Sequence, residues 1–447
     1  MAATRLHDLL STLTRRDLRL RRRRAAGAAG VEGLVAECDR LLASDGEASS
    51  IAHAHAVFDL YRRLPAAQRE AFFETLLQRY GPDPAAIDAA YEAYRRARSP
   101  ETAQALFEAC EPPRQELLRR LNLPAGGTAE LVAMRTALLD LLARRGDLAP
   151  VDADFRHLLA SWFNRGFLLL QRIDWHSSAA ILEKVMRYEA VHAIRGWDDL
   201  RRRLDARDRR CYAFFHPALG DEPLIFVEVA LTGAVPARTQ NVLDAEVGEV
   251  YAEEARTAAF FGISNCQYGL RGISFGNFLI KQVVRELKNE LPDLETFVTL
   301  SPLPGFADWL ARLRRGETDE PGLDDDQRTA LAHLDDADWP RRHGDDDDLR
   351  ATVLALAAHY LANERNDRGL PLDPVARFHL VNGARMERIN WLGDTSEKGV
   401  RRSLGLMVNY VYDLREIDHN HEQLVNEGVV ATAPGIRRLL RQGRRRA

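Results

Sequence analysis

The sequence predicts a two-domain α+β protein, with an all-α helical bundle over residues 1–162 and a mixed-sheet domain over residues 163–447. Three observations predict it. From about Val31 to Phe163, apolar residues recur at helical spacing in successive blocks separated by Pro and Gly punctuation. From about Arg165 the pattern changes to short β-rich runs interleaved with helical segments. Finally, 447 residues exceed what one hydrophobic core ordinarily organises.

In the first domain, Ala54–Leu64 carries Val57, Phe58, Leu60, Tyr61 and Leu64 on one helical face. Further helical blocks are Ala67–Tyr80, Ala85–Arg98, Pro100–Cys110, Glu116–Leu121 and Ala129–Arg145. They are broken at Gly81-Pro82-Asp83-Pro84, Pro112-Pro113 and Pro124-Ala125-Gly126-Gly127, where the helix cannot continue. Connections this short favour antiparallel neighbours. No residues in these blocks assemble into a site, so their expected role is interaction or oligomerisation.

In the second domain, Cys211–His216 and Leu224–Leu231 read as strands of a hairpin, and Ala258–Asn265 as another strand. The segment Asn277–Leu291 reads as a helix burying Ile280, Val283, Val284, Leu287 and Leu291, and Pro292 stops it. Thr296–Leu300 is a strand leading into Ser301. Arg312–Asp348 is acidic, with Asp324-Asp325-Asp326 and Asp345-Asp346-Asp347-Asp348, and is expected to form exposed helices and loops. Adjacent aspartates in a solvated run rarely converge on a cation. A helix over Leu349–Asn366, a strand over Ala376–Val381 and a strand over Val408–Asp413 complete the reading.

Composition bounds the function. Hydrophobic content of 46% with 29% charged residues fits a globular protein, and no apolar run approaches the roughly 20 residues a membrane span needs. The N-terminus lacks an apolar core before a small-residue cleavage site, so secretion is not expected. The last residues, Arg444-Arg445-Arg446-Ala447, are not a peroxisomal Ser-Lys-Leu address. Cys38, Cys110, Cys211 and Cys266 form no C-x-x-C pair, which indicates neither a zinc site nor a disulfide framework. A cytoplasmic protein with reduced thiols follows. A formal net charge of −4 gives no general case for a nucleic-acid partner. Lysine accounts for only Lys184, Lys281, Lys288 and Lys398 among 62 basic residues, as in proteins from GC-rich genomes. The basic run Arg15–Arg24 lacks the interleaved aromatics that base stacking requires, and reads as a solvated arm.

Three segments carry chemistry. Arg271-Gly272-Ile273-Ser274-Phe275-Gly276-Asn277 joins a strand to a helix, where glycines let backbone N–H groups close on a phosphate and the helix N-terminus favours negative charge. Ser301 stands at a strand end before Pro302, Pro304 and Gly305, a stiff setting that holds a hydroxyl in place; no Gly-x-Ser-x-Gly elbow surrounds it. His379 lies between Phe378 and Leu380, either as a packed core residue or as an acid–base group that works near neutral pH. His419 and His421, like His53 and His55, are spaced i, i+2 and lack the i, i+4 spacing that puts two metal ligands on one helical face.

The Arg271–Asn277 loop resembles the pyrophosphate loop of the acetyltransferase-type (GNAT) fold, which holds coenzyme A. The wider set of blocks resembles the malonyl-CoA decarboxylase family: Arg172-Ile173-Asp174-Trp175-His176-Ser177, Val229-Ala230-Leu231-Thr232-Gly233, Gly262-Ile263-Ser264, Gln267-Tyr268-Gly269-Leu270-Arg271-Gly272 and Phe278-Leu279-Ile280-Lys281. Downstream the likeness continues through Leu300-Ser301-Pro302-Leu303-Pro304-Gly305-Phe306, Phe378–Ala384, Arg388-Ile389-Asn390-Trp391 and Gly405–Tyr412. The resemblance spans about residues 165 to 415 in order. It implies a helical self-associating domain, giving a dimer or tetramer, and a GNAT-like catalytic domain acting on malonyl-CoA in fatty-acid or malonate metabolism. It also implies that Ser301 and His379 are the catalytic pair, that Tyr412 and Ser264 assist, and that Arg271, Gly272, Ile273, Ser274, Phe275, Gly276 and Asn277 contact the coenzyme. Some family members carry glutamate where this chain has Ser274, so a task of that carboxylate in orienting the histidine either falls elsewhere here or was never essential. The targeting leader and peroxisomal tail of animal members are absent, as expected of a bacterial cytoplasmic member.

The chemistry implied is loss of CO2 from malonyl-CoA to leave a thioester enolate, with His379 as the expected proton donor to carbon. The thioester carbonyl is itself the electron sink, so no pyridoxal, thiamine or metal is expected. A GNAT-type acyltransferase is the alternative, and a catalytically inactive acyl-CoA-binding regulator a third reading. The Ser-Pro-x-Pro-Gly-Phe and Phe-His-Leu blocks separate the first from these, because acetyltransferases do not need them.

Overall fold

A computed structural model describes residues 30–189, 191–243, 252–273, 278–318 and 321–446. The basic run Arg15–Arg24 and the loop residues Ser274, Phe275, Gly276 and Asn277 lie outside the described residues. The chain divides into two compact units. One comprises the chain up to residue 168 together with 215–222 and 267–274; the other comprises 169–214, 223–266 and the chain from 275 onward.

The first unit is helical: Val31–Leu42, Glu47–Arg63, Ala66–Gln78, Pro84–Arg96, Pro100–Cys110, Pro113–Leu121, Gly127–Leu142 and Ala149–Trp162. The helices start where the sequence places capping residues. Asp83 accepts from the Ala85 N–H ahead of Pro84, and Ser99 and Thr102 form a reciprocal capping box. Leu34, Val57, Phe58, Phe72, Phe73, Leu118, Leu138 and Phe155 fill the core. Buried ion pairs tie it together, Arg114 with Asp154 and Arg135 with Asp152.

The second unit is built on a sheet of β1 (Leu169–Ile173), β2 (Arg209–Phe215), β3 (Pro223–Thr232), β4 (Thr257–Asn265), β5 (Thr296–Thr299), β6 (Ser301–Pro302), β7 (Arg385–Asn390) and β8 (Met407–Val411). The order is β1-β2-β3-β4-β5-β8, with β6 and β7 also pairing β8. The expected α+β architecture is therefore present, and β2 and β3 are neighbours as the hairpin expectation required. β3 runs antiparallel to β4 with a bulge between Glu228 and Val229, whereas β4 and β5 are parallel. That parallel pairing covers only Thr257 to Phe260 of β4, although β4 continues to Asn265. β5 ends at Thr299, the partner of Phe260, so the rest of β4 has no β5 partner.

Three strands escaped the sequence reading: β1, β7 and the two-residue β6. One expected strand is corrected: Ala376–Val381 belongs to a helix, Pro374–Val381. The alternation around Phe378 and Leu380 is too short to fix a period, while Asp373 followed by Pro374 is a helix start. Asp373 accepts from the Val375 and Ala376 N–H groups. The acidic clusters serve the same purpose. Asp324 forms a capping box with Gln327, and Asp346 caps the helix Asp347–Ala362.

Candidate active site

Ser301 opens β6, directly after β5, and pairs with Val408 of β8. This strand-to-loop junction holds its backbone, and Pro302 limits its freedom to move. The Ser301 hydroxyl lies 2.9 Å from His379 Nε2 and 3.0 Å from Thr299 Oγ1. The other ring nitrogen of His379, Nδ1, lies 2.8 Å from the Tyr412 hydroxyl. Both nitrogens of the imidazole are therefore engaged. Tyr412 follows β8, and its N–H donates to Phe297 O of β5. Thr299 is anchored in turn, its hydroxyl accepting from the Tyr410 N–H and its carbonyl from the Asn409 side chain.

His379 sits on the helix Pro374–Val381, whose start is fixed by Asp373. The ring of Tyr410 stacks on the imidazole with centroids 4.7 Å apart, and Phe378 meets it edge-on. Burial pushes the His379 pKa down to about 3, so the ring is neutral at physiological pH. Burial likewise raises the Tyr412 phenol well above its ordinary value, keeping the O–H intact as a donor. The result is a neutral chain of hydroxyl, imidazole and hydroxyl.

Ser264 lies on the part of β4 that β5 no longer covers, and its hydroxyl donates to Glu189 Oε2 at 3.0 Å. The other oxygen of Glu189 accepts the N–H groups of Val191 and His192. Glu228, fully buried on β3, neighbours this carboxylate and pairs with Arg203 at 3.5 Å. Neither Glu189 nor Glu228 entered the sequence-based site. The available signal was one acid inside the apolar run Phe226-Val227-Glu228-Val229-Ala230, where a charge is costly unless it is used.

The loop residues Arg271, Gly272 and Ile273 fall in the helical unit. Gly272 takes φ +79°, a conformation that favours glycine, and Arg271 is exposed with its guanidinium 5.9 Å from the Tyr268 ring. Within this unit Arg135 donates to Gly269 O at 2.7 Å, which fixes the start of the loop. Of the histidines judged unlike metal ligands, His421 contacts Val381 O at 2.6 Å and His53 contacts Glu37 at 2.6 Å. Among the described residues, no three His, Cys, Asp or Glu side chains form a group that could hold a metal ion.

Comparison with known proteins extends the match along the chain. The family model for the malonyl-CoA decarboxylase N-terminal domain matches residues 80–163, and that for the C-terminal domain matches residues 166–447. The mitochondrial malonyl-CoA decarboxylase of Anser anser anser is 37% identical over 392 residues, covering 80% of this chain and 77% of that protein. The crystal structure of malonyl-CoA decarboxylase from Rhodopseudomonas palustris is 52% identical, with a TM-score of 0.87 over 92% of this chain and 100% of that one. The one from Agrobacterium vitis is also 52% identical, with a TM-score of 0.86 over 91% of this chain and 99% of that one.

Proposed function

The chain belongs to the malonyl-CoA decarboxylase family, and from that premise we propose how its own residues carry the reaction. It is a carboxy-lyase that converts malonyl-CoA to acetyl-CoA and CO2. The observation that carries our reading of the site is the buried chain Ser301–His379–Tyr412, in which both imidazole nitrogens are occupied.

Decarboxylation breaks the bond between the carboxylate carbon and the α-carbon, and its electron pair becomes the enolate of the thioester. One proton must then reach the α-carbon. A neutral imidazole has one N–H and one acceptor nitrogen. With the Tyr412 O–H donating to Nδ1, the proton sits on Nε2 and donates to Ser301. That leaves the Ser301 O–H, resting on Thr299, as the group able to turn toward substrate. The proton then passes from Ser301 to carbon, from Nε2 to Ser301 and from Tyr412 to Nδ1; after product leaves, a proton from water enters at Ser301 and reverses these shifts, restoring both Nε2–H and the phenol. His379 acts as relay in this scheme, which moves the donation to carbon from its ring, the expectation from sequence, to the Ser301 hydroxyl. General acid catalysis of this kind contributes on the order of 10²–10⁴-fold.

The phosphates of the coenzyme are assigned to the glycine-bearing segment Arg271–Asn277, and Ser264 is kept as a residue that assists the reaction. The positive φ of Gly272 supports the assignment of that segment. The helical unit is assigned to self-association. Its helices Pro84–Arg96 and Pro100–Cys110 bury no residue fully, and Phe107 is 71% exposed. A cytoplasmic enzyme of malonate or fatty-acid metabolism fits these features. Its cysteines are free, and among the described residues no helix is long and apolar enough to cross a membrane.

The test is incubation of the purified protein with malonyl-CoA alone, following acetyl-CoA by chromatography. Conversion that is lost in Ser301→Ala supports the site. Wild-type turnover in that variant would remove Ser301 from the chemistry.

A further inference from the structure

The decarboxylation scheme leaves one buried acid unused. Glu228 is fully enclosed, and neither of its oxygens receives a hydrogen bond. A carboxylate left so would be severely destabilising, and a leucine could fill the same strand position at far lower cost. Its placement shows what it faces. Glu228 pairs in register with Gly262 of β4, and a Cβ at that glycine would lie 2.4 Å from Glu228 Oε2. The carboxyl thus lies directly over the backbone of β4, two residues before Ser264. Residues two apart on a strand share a face, so Glu228 and Ser264 are on the same side of the sheet.

Glu189 bridges them. It accepts from Ser264 Oγ and from the N–H groups of Val191 and His192, so both of its oxygens are already hydrogen-bond acceptors whereas those of Glu228 are not. Two adjacent carboxylates in a buried site do not both ionise, so the proton belongs on Glu228. We propose that Glu228 is a positioning residue for decarboxylation: as a neutral acid it donates its O–H to Glu189, which in turn holds the Ser264 hydroxyl in one orientation on β4. This rests on the reading of Ser264 as part of the site. The groups facing Glu228 agree with it. Arg203 reaches it from the helix Trp197–Asp205 but spends its stronger contacts on His192 O and Asp199. Cys211 of β2 stays a thiol through burial, and His192 stays neutral for the same reason. Burial, followed by the Glu189 charge, lifts the Glu228 pKa to about 8.

The test is a double-mutant cycle on the full-length protein, with kcat and KM for malonyl-CoA measured across pH 6–9. Glu228→Leu should lower kcat tenfold or more. Glu228→Gln keeps a neutral N–H donor and should retain at least a third of the wild-type kcat. Wild type should lose activity above about pH 8 as Glu228 ionises, and Glu228→Gln should lack that loss. In a Ser264→Ala background, Glu228→Leu should cost less than twofold further, because the group it positions is gone.

Independent, multiplicative losses in the double mutant would overturn the link between Glu228 and Ser264. If Glu228→Leu does not fold, the comparison of Glu228→Gln with wild type decides. A Gln variant as impaired as a Ser264 deletion, or one that keeps the alkaline loss, overturns the proposal. Wild-type kinetics in Ser264→Ala alone would instead sink the reading of Ser264 itself, and the premise of this inference with it.

Discussion

Ser301 Oγ and His379 Nε2 lie 2.9 Å apart although 78 residues separate them in the chain. One comes from a strand end, the other from a helix that packs beside the sheet, and β8 supplies the tyrosines that fix the geometry between them. Removing either member should therefore break one unit. Ser301→Ala and His379→Asn should each lower kcat by about 10²–10⁴-fold, and the double variant should be little worse than either single. Binding of acetyl-CoA, measured by calorimetry, should remain within a few fold of wild type. Losses that multiply in the double variant would mean that the two residues act in separate steps.

Tyr412→Phe removes the O–H that fills His379 Nδ1 and keeps the ring that packs on Phe260. A buried polar atom left without its partner costs about 1–3 kcal/mol, equivalent to roughly 5–160-fold in rate. The loss should fall on kcat with KM little changed. A variant with raised KM and intact kcat would identify Tyr412 as a binding residue instead.

Two buried groups give stability opposite pH slopes. His379 is neutral in the native protein down to about pH 3, whereas its ordinary value is 6.5. Between those values the unfolded chain binds the extra proton, so stability falls as pH drops from about 6.5 toward 3. Glu228 keeps its proton up to about pH 8 against an ordinary value of 4.5. There the folded chain binds the extra proton, so the contribution of this group is fully present below about 4.5 and falls as pH rises toward 8. Each slope is limited to about 1.4 kcal/mol per pH unit. Thermal unfolding across pH should show the alkaline slope flattened by Glu228→Gln and the acid slope flattened by His379→Asn. Unchanged slopes would mean that these groups titrate normally in the fold.

Asp373 links stability to the site because it starts the helix that carries His379. Asp373→Ala should destabilise by about 1 kcal/mol or more through loss of the N-cap, and Tyr360 loses a partner as well. kcat should fall with it. Asp373→Asn keeps the capping oxygen and should recover most of both, as read by unfolding midpoint and steady-state kinetics. Equal damage from Ala and Asn would show that charge, and not the cap, is what the helix requires.

Phe107 presents its ring on a helix pair that buries no residue fully within its own unit. If that pair is the self-association surface, Phe107→Asp should shift sedimentation toward a smaller species without changing the fold. An unchanged sedimentation coefficient would place the contact elsewhere.

The sequence by itself determined the division into a helical and a sheet-bearing part, most helices of the helical part, and the family whose site pattern Ser301, His379 and Tyr412 match. Those features rest on local periodicity and on blocks of neighbouring residues, which the linear chain carries in full. It misassigned the segment around His379, where a short apolar alternation outweighed the Asp373-Pro374 helix start. It also passed over β1, which is largely exposed, and β7, whose alternation is interrupted at its register shift against β8. Only the tertiary structure decided that both nitrogens of His379 are occupied, which moves the last proton donor to a hydroxyl. Only the structure brought Glu189 and Glu228 together behind Ser264. The reason is physical: proton position and charge state depend on burial and on partners distant in sequence, and neither has a local signature in the chain.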